Sequence, residues 1–149
     1  MRYHLICLGL LLLPASPSVA AETGRVVRLP GLEYKVLHSG PADGVRPTRA
    51  DRVSIRYVGR LADGSVFSTS PDNGASPTSF DVRIVIPGFS ALVQLMRPGD
   101  RWEFRIPGYL GYGREGKKMT SGDGSLRREI PADAALVFDV ELVGVTPAG

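Results

Sequence analysis

Pro87-Gly88-Phe89-Ser90-Ala91-Leu92-Val93-Gln94-Leu95-Met96-Arg97-Pro98-Gly99-Asp100-Arg101-Trp102-Glu103-Phe104-Arg105-Ile106 changes its apolar period midway. Phe89, Leu92, Val93 and Met96 fall at i, i+3, i+4 and i+7, the spacing of one helical face. Arg97-Pro98-Gly99-Asp100 ends that pattern, since proline cannot continue a helix and glycine suits the turn after one. Trp102, Phe104 and Ile106 then alternate with Arg101, Glu103 and Arg105, as in a strand with one buried and one charged face.

No other segment outside the first twenty or so residues reads convincingly as helix, and the flanks on both sides read as strands. Leu32, Tyr34 and Val36 alternate with Glu33 and Lys35, closed by Gly40-Pro41 and Asp43-Gly44. A second strand runs from Val53 to Leu61, and Asp63-Gly64 turns it back into Val66 and Phe67. Ser68 to Ser79 is rich in Ser, Pro and Gly and reads as loop, after which Phe80 to Ile86 reads as extended. Leu136, Phe138, Val140 and Leu142 alternate with Asp139 and Glu141 near the C-terminus. Several strands and one short helix predict an antiparallel α+β domain.

Two segments resist this pattern. Glu22 to Leu29 carries no heptads and is expected to be a loose leader, which leaves a monomer as the default. Gly113 to Ile130 is the longest irregular stretch, with Arg114, Lys117, Lys118, Arg127 and Arg128 set against Glu115, Asp123 and Glu129. Its length points to a functional or mobile loop. Asp123-Gly124 is a hairpin signal at its tip, although the flanks show little apolar alternation.

The first residues read as an export signal: a basic Arg2, an apolar run from Leu5 to Leu13, and small residues at Ser18-Val19-Ala20. Cleavage is expected after Ala20, with Ala21 as the alternative. The run is about half the roughly 20 residues a spanning helix needs, so no stable membrane anchor is expected. The chain divides into a signal at 1–20, a short leader at 21–30 and a domain over 31–146. Cys7, the one cysteine, leaves with the signal, which removes disulfides, thiol catalysis and thiolate metal sites together. Arg2 is the only formally charged residue lost, lowering the net charge from +3 to +2. So small an excess argues against nucleic acid as a partner.

The remaining chemistry is sparse. His38 is the one histidine past the signal and lies among turn residues, a poor base for a Ser-His-Asp triad or a three-ligand zinc site. Gly111-Tyr112-Gly113-Arg114-Glu115-Gly116 matches G-x-G-x-x-G by letter, without the strand before it and the helix after it that dinucleotide binding needs. What stands beside the turns in quantity is aromatic and branched: Tyr57, Phe67, Phe80, Val85, Ile86, Phe89, Tyr112, Ile130 and Phe138. Taken singly, each is most simply core.

From about Leu32 to Val143, linked segments occur in a recognisable order. They are Val53-x-Ile55-x-Tyr57-x-Gly59, Asp63-Gly64-x-x-Phe67, Val85-Ile86-Pro87-Gly88-Phe89, Met96-x-x-Gly99, Gly111-Tyr112-Gly113, and Ile130-Pro131 followed by Leu136 to Leu142. This order resembles the FKBP-type peptidyl-prolyl cis-trans isomerases. Leu32-Glu33-Tyr34-Lys35-Val36-Leu37 is similar to the catalytic domain of the macrophage infectivity potentiator group, whose dimerising helical arm has no counterpart here.

The resemblance implies a curled antiparallel sheet of five or six strands wrapped around the one short helix, with a proline pocket between them. It assigns Tyr57, Phe67, Phe80, Phe89 and Phe138 to the pocket wall, with Val85 and Ile86 at the rim and Ser68 and Ile130 among the substrate-binding residues. The Ile86 N–H and the Tyr112 hydroxyl would orient the substrate. Ser68 stands where the family usually has aspartate, and Phe89 where it usually has tryptophan. The Gly113 to Ile130 loop is longer than in minimal domains.

The implied activity is X-Pro isomerisation during folding of exported proteins, in the periplasm or medium, with no cofactor. Implied partners are proline-containing segments of unfolded or exported proteins, and tacrolimus-type macrolides. A non-catalytic peptide-binding chaperone using the same apolar groove is the second reading. A lectin-like or adhesive β domain has no positive feature in the sequence.

Overall fold

The computed structural model describes residues 23–120 and 126–149. The expected signal, Cys7 and the Asp123-Gly124 tip lie outside the described residues. Among these residues the strands are β1 (Val26–Leu29), β2 (Leu32–His38), β3 (Arg52–Leu61), β4 (Val66–Thr69), β5 (Thr78–Asp81), β6 (Arg101–Ile106), β7 (Lys117–Thr120), β8 (Leu126–Ile130) and β9 (Leu136–Thr146), and the one α-helix, α1, spans Pro87–Val93.

β1, β2, β6, β9 and β3 follow one another across a single antiparallel sheet. β4 and β5 share the far edge of β3: β4 pairs with Val58 to Arg60 and β5 with Arg52 to Ile55. Seven strands therefore occupy six lanes. β7 and β8 form a separate antiparallel hairpin.

The alternation seen in sequence becomes the inner face. Val53 and Ile55 of β3, Trp102, Phe104 and Ile106 of β6, and Leu136, Phe138, Val140 and Leu142 of β9 are all buried. They close over Phe89, Leu92 and Val93 of α1 and over Met96 just beyond it. Pro87 suits the first turn because its missing N–H would have no helical partner there. Seven residues are too few for a helix to persist alone, so burial of its apolar face must hold it.

The outer face carries opposite charges at neighbouring positions. Arg101 grips Asp139 with two bonds of 2.6 and 2.8 Å, Arg105 reaches Glu103 at 2.9 Å, and Arg56 reaches Glu141 at 2.9 Å. Pairs this exposed contribute about 0.2–1 kcal/mol each at best. Among the described residues Asp51 and Asp100 are the buried carboxylates, and backbone donors satisfy both. Asp51 accepts from Thr48 N at 2.7 Å and Ala148 N at 3.0 Å, and Asp100 accepts from Gly40 N and Arg97 N at 2.7 Å.

Four local expectations change. Val26–Leu29, expected as loose leader, is a strand because β2 supplies its pairing from Val26↔Lys35 to Leu29↔Leu32. The extended run expected to reach Ile86 stops at Asp81. There the chain turns so that Val82 is buried and Ile84 is 69% exposed. The stretch from Ser68 to Ser79 is not loop throughout, since β4 continues to Thr69 and β5 starts at Thr78. Gly113 to Ile130, read as irregular, holds β7 and β8, whose pairing is visible only once both strands are placed together.

Gly59 lies opposite Phe138 in the β3–β9 register, and a Cβ there would sit 2.9 Å from the rings of both Phe138 and Phe67. Gly59→Ala is expected to destabilise the fold by about 1–3 kcal/mol, because backbone or rings must shift to admit a methyl group. Chemical denaturation of the variant beside the parent checks this.

Candidate functional site

The sheet curls away from the N-terminal end of α1 and leaves a cavity of about 320 Å³. β3 contributes Ile55 and Tyr57, β4 Phe67 and Ser68, and β5 Phe80. The turn before the helix contributes Ile84, Val85 and Ile86, and the helix itself Phe89. Phe138 of β9 forms the base, while Tyr112 and Lys117 enter from the segment after β6.

The rings hold one another by their edges. Phe138 meets Phe67 at 5.5 Å and 84° between planes, and meets Phe89 at 5.3 Å and 81°. Tyr57 meets Phe80 at 5.9 Å and 63°. Edge-to-face contact brings the positive rim of one ring to the negative face of another, so the wall is rigid as well as apolar. Phe67, Phe89 and Phe138 are buried, while Tyr57, Phe80, Val85, Ile86 and Tyr112 are partly open to the cavity mouth.

Polar groups here are few. The Tyr57 hydroxyl lies 2.8 Å from the Ser68 hydroxyl, so each can serve the other as donor or acceptor. Burial, and secondarily Tyr57, pushes the Tyr112 phenol above its ordinary value of 10.0. Tyr112 therefore remains a neutral O–H donor through the physiological range. The Ile86 N–H, just before the helix, has no hydrogen-bond partner among the described residues. Such a group at a cavity rim is a ready donor to a ligand carbonyl.

Tyr57, Phe67, Ser68, Phe80, Val85, Ile86, Phe89, Tyr112 and Phe138, drawn from scattered segments, thus surround one space. Ile130 does not line it. It is 1% exposed, lies opposite Lys117 in the β7–β8 hairpin, and packs into the core. Ile55, Ile84 and Lys117 line the cavity without having been singled out as site residues: Ile55 reads as a core position of its strand, Ile84 lies in an unpatterned turn and Lys117 in a charged loop.

Other candidates lie elsewhere. His38 is exposed, with Nδ1 3.0 Å from the Gly99 carbonyl. Among the described residues no three His, Cys, Asp or Glu side chains gather where a metal could be held. The G-x-G-x-x-G letters fall on short 3₁₀ turns. Among the described residues the lining carries no carboxylate, imidazole or thiol, and its polar side chains are those of Tyr57, Ser68, Tyr112 and Lys117, so the cavity can bind, desolvate and orient a ligand.

Residues 44–143 match the family model described as FKBP-type peptidyl-prolyl cis-trans isomerase. The chain is 39% identical over 115 residues to the FKBP-type 22 kDa peptidyl-prolyl cis-trans isomerase of Escherichia coli, spanning 77% of this chain and 50% of that protein. It is 40% identical over 124 residues to the macrophage infectivity potentiator of Trypanosoma cruzi, spanning 83% and 58%. A 1.6 Å crystal structure of a peptidyl-prolyl cis-trans isomerase from Pseudomonas syringae superposes with a TM-score of 0.67 at 34% identity, covering 85% of this chain and 84% of that one. The chain spans about half the length of the curated relatives it matches.

The Tyr57–Ser68 contact predicts measurable coupling. In a cycle of Tyr57→Phe, Ser68→Ala and the double variant, thermal and denaturant unfolding are expected to give about 0.5–1.5 kcal/mol, the net worth of one neutral hydrogen bond. Additive effects would show that the two hydroxyls do not bond in solution.

Proposed function

This chain belongs to the FKBP-type peptidyl-prolyl cis-trans isomerases, and on that premise we propose that it accelerates rotation about X-Pro bonds in unfolded or exported proteins. The observation that carries the reading is the cavity itself: a rigid aromatic wall with two donors at its mouth and, among the described residues, no carboxylate, imidazole or thiol in its lining.

The planar amide resists rotation by roughly 18–20 kcal/mol because resonance gives its C–N bond double-bond character. The twisted transition state has lost that resonance and much of its charge separation. An apolar cavity therefore disfavours the planar form more than the twisted one, which is the differential binding that catalysis requires. Tyr57, Phe67, Phe80, Phe89 and Phe138 would hold the proline ring. The Ile86 N–H and the Tyr112 hydroxyl would fix the substrate carbonyls on either side of the rotating bond, and Val85 would close the rim.

Ser68 would keep the wall uncharged where the family usually presents a carboxylate. We place the working protein outside the cytoplasm, on the strength of the Leu5 to Leu13 segment and the small residues ahead of Ala21.

Uncatalysed X-Pro relaxation takes tens to hundreds of seconds, and each tenfold acceleration corresponds to about 1.4 kcal/mol of barrier. The purified domain is expected to accelerate a short Leu-Pro peptide above a heat-treated control, with a rate nearly flat from neutral to mildly alkaline pH. The sign follows from Tyr112: its raised pKa keeps the donor protonated, and loss sets in only as pH climbs past the ordinary tyrosine value. Tyr112→Phe should keep its melting temperature and lose about two- to tenfold in kcat/KM, the worth of one hydrogen bond. No acceleration, together with suppressed aggregation of an unfolded client, would favour a peptide-holding chaperone instead.

Ser68→Asp tests the wall. A charge-assisted bond from Tyr57 is roughly twice as strong as the neutral one, so the variant should bind tacrolimus more tightly than the parent. Equal affinity measured by calorimetry, with both proteins folded, would exclude position 68 from the ligand's surroundings.

A further inference from the structure

In the β7–β8 hairpin Lys117 lies opposite Ile130, and Met119 opposite Arg128. Facing residues of an antiparallel pair project to the same side, as do residues two apart, so these four share one side of the hairpin. Ile130 is buried in the core, which turns that side toward the body of the protein. Lys118 and Glu129 take the opposite, exposed side.

Lys117 lines the aromatic cavity. Met119 and Arg128 line a second, more polar cleft of about 540 Å³ together with Thr69 and Asn73. Phe67 and Ser68 belong to the lining of both spaces, so the two adjoin across β4. Among the described residues neither lining includes an aspartate or glutamate. Among the described residues, neither Lys117 nor Arg128 makes an ion pair or side-chain hydrogen bond.

The outer face of the sheet sets the contrast, since Arg101, Arg105 and Arg56 there each meet a carboxylate of the same chain. Among the described residues, the two cations turned toward these adjoining clefts have no such partner, and a bound peptide can bring one. Serine at position 68 adds to this, because a carboxylate on the shared wall would repel an acidic substrate where the two clefts meet.

We propose that Lys117 and Arg128 are specificity-determining residues that favour proline-containing segments bearing aspartate or glutamate next to the proline. The proposal rests on the isomerase reading and names the substrate class of that site. Both side chains are exposed, so the preference is modest and falls with salt.

The test compares peptides that differ only in carrying Glu, Gln or Lys immediately before or after the proline. At low ionic strength, kcat/KM for the better-placed Glu peptide should exceed that for its Gln counterpart by about two- to fivefold, as expected for an exposed ion pair, with Lys below Gln. Near 1 M salt, where the screening length is about 3 Å, the three should converge. Lys117→Gln and Arg128→Gln should each move the Glu/Gln ratio toward one. Lys118→Gln, with the same change of net charge on the opposite side of the hairpin, should retain the ratio.

A parental ratio of one at low salt, or an equal loss in Lys118→Gln, would overturn the proposal. Turnover of the Gln peptide reads the isomerase reading separately. Should it fail, the Glu/Gln ratio of peptide affinities by fluorescence anisotropy still decides the charge preference by the same outcomes.

Discussion

The ring of Phe138 stands against a residue with no side chain. Gly59 faces it across the β3–β9 ladder, and the space a methyl group would take is filled by the edges of Phe138 and Phe67. That close approach lets Phe138 reach Phe67 on one side and Phe89 on the other, joining sheet to helix through an aromatic chain that continues to Phe104. Core packing and cavity wall are therefore the same rings seen from two sides. An interior packed to crystal-like density transmits small displacements, so the shape of the cavity depends on this contact.

The helix depends on the same arrangement. With seven residues it cannot supply its own stability, and it persists because Phe89, Leu92 and Val93 are enclosed by the curled sheet. In return, it begins just after Ile86, whose N–H has no hydrogen-bond partner among the described residues. The donor at the cavity rim is thus a by-product of where the helix begins. The twist of the sheet and the short edge strands β4 and β5 leave the cavity mouth open above that point.

A site of this kind shifts chemistry from reactive groups to environment. Tyr57, Ser68 and Tyr112 contribute neutral hydroxyls, and the aromatic walls exclude water from whatever they hold. This suits the proposed bond rotation, which breaks no covalent bond and moves no proton. Among the described residues, charge reaches the cavity lining through Lys117 of the β7–β8 hairpin.

The strands and the helix were legible in the sequence because burial on one side imposes a period, two for β6 and β9 and 3.6 for the run from Phe89 to Met96. The ordered motifs around Tyr57, Phe67, Phe89, Tyr112 and Phe138 also made the family legible, and with it most of the residues around the cavity. Elements without one-sided burial left no such period. β1 is short and exposed, β7 and β8 pair mainly with each other, and the turn holding Ile84 has no pattern. Ile130, assigned to the site through the family resemblance, lies instead in the core, because which way a residue points depends on the partner strand it meets. The sequence by itself determined local period, composition and kinship; only the tertiary structure decided the lanes of the sheet, the ring against Gly59, and the turning of Lys117 and Arg128 toward the clefts. Those follow from contacts between segments far apart in the chain, which no local pattern encodes.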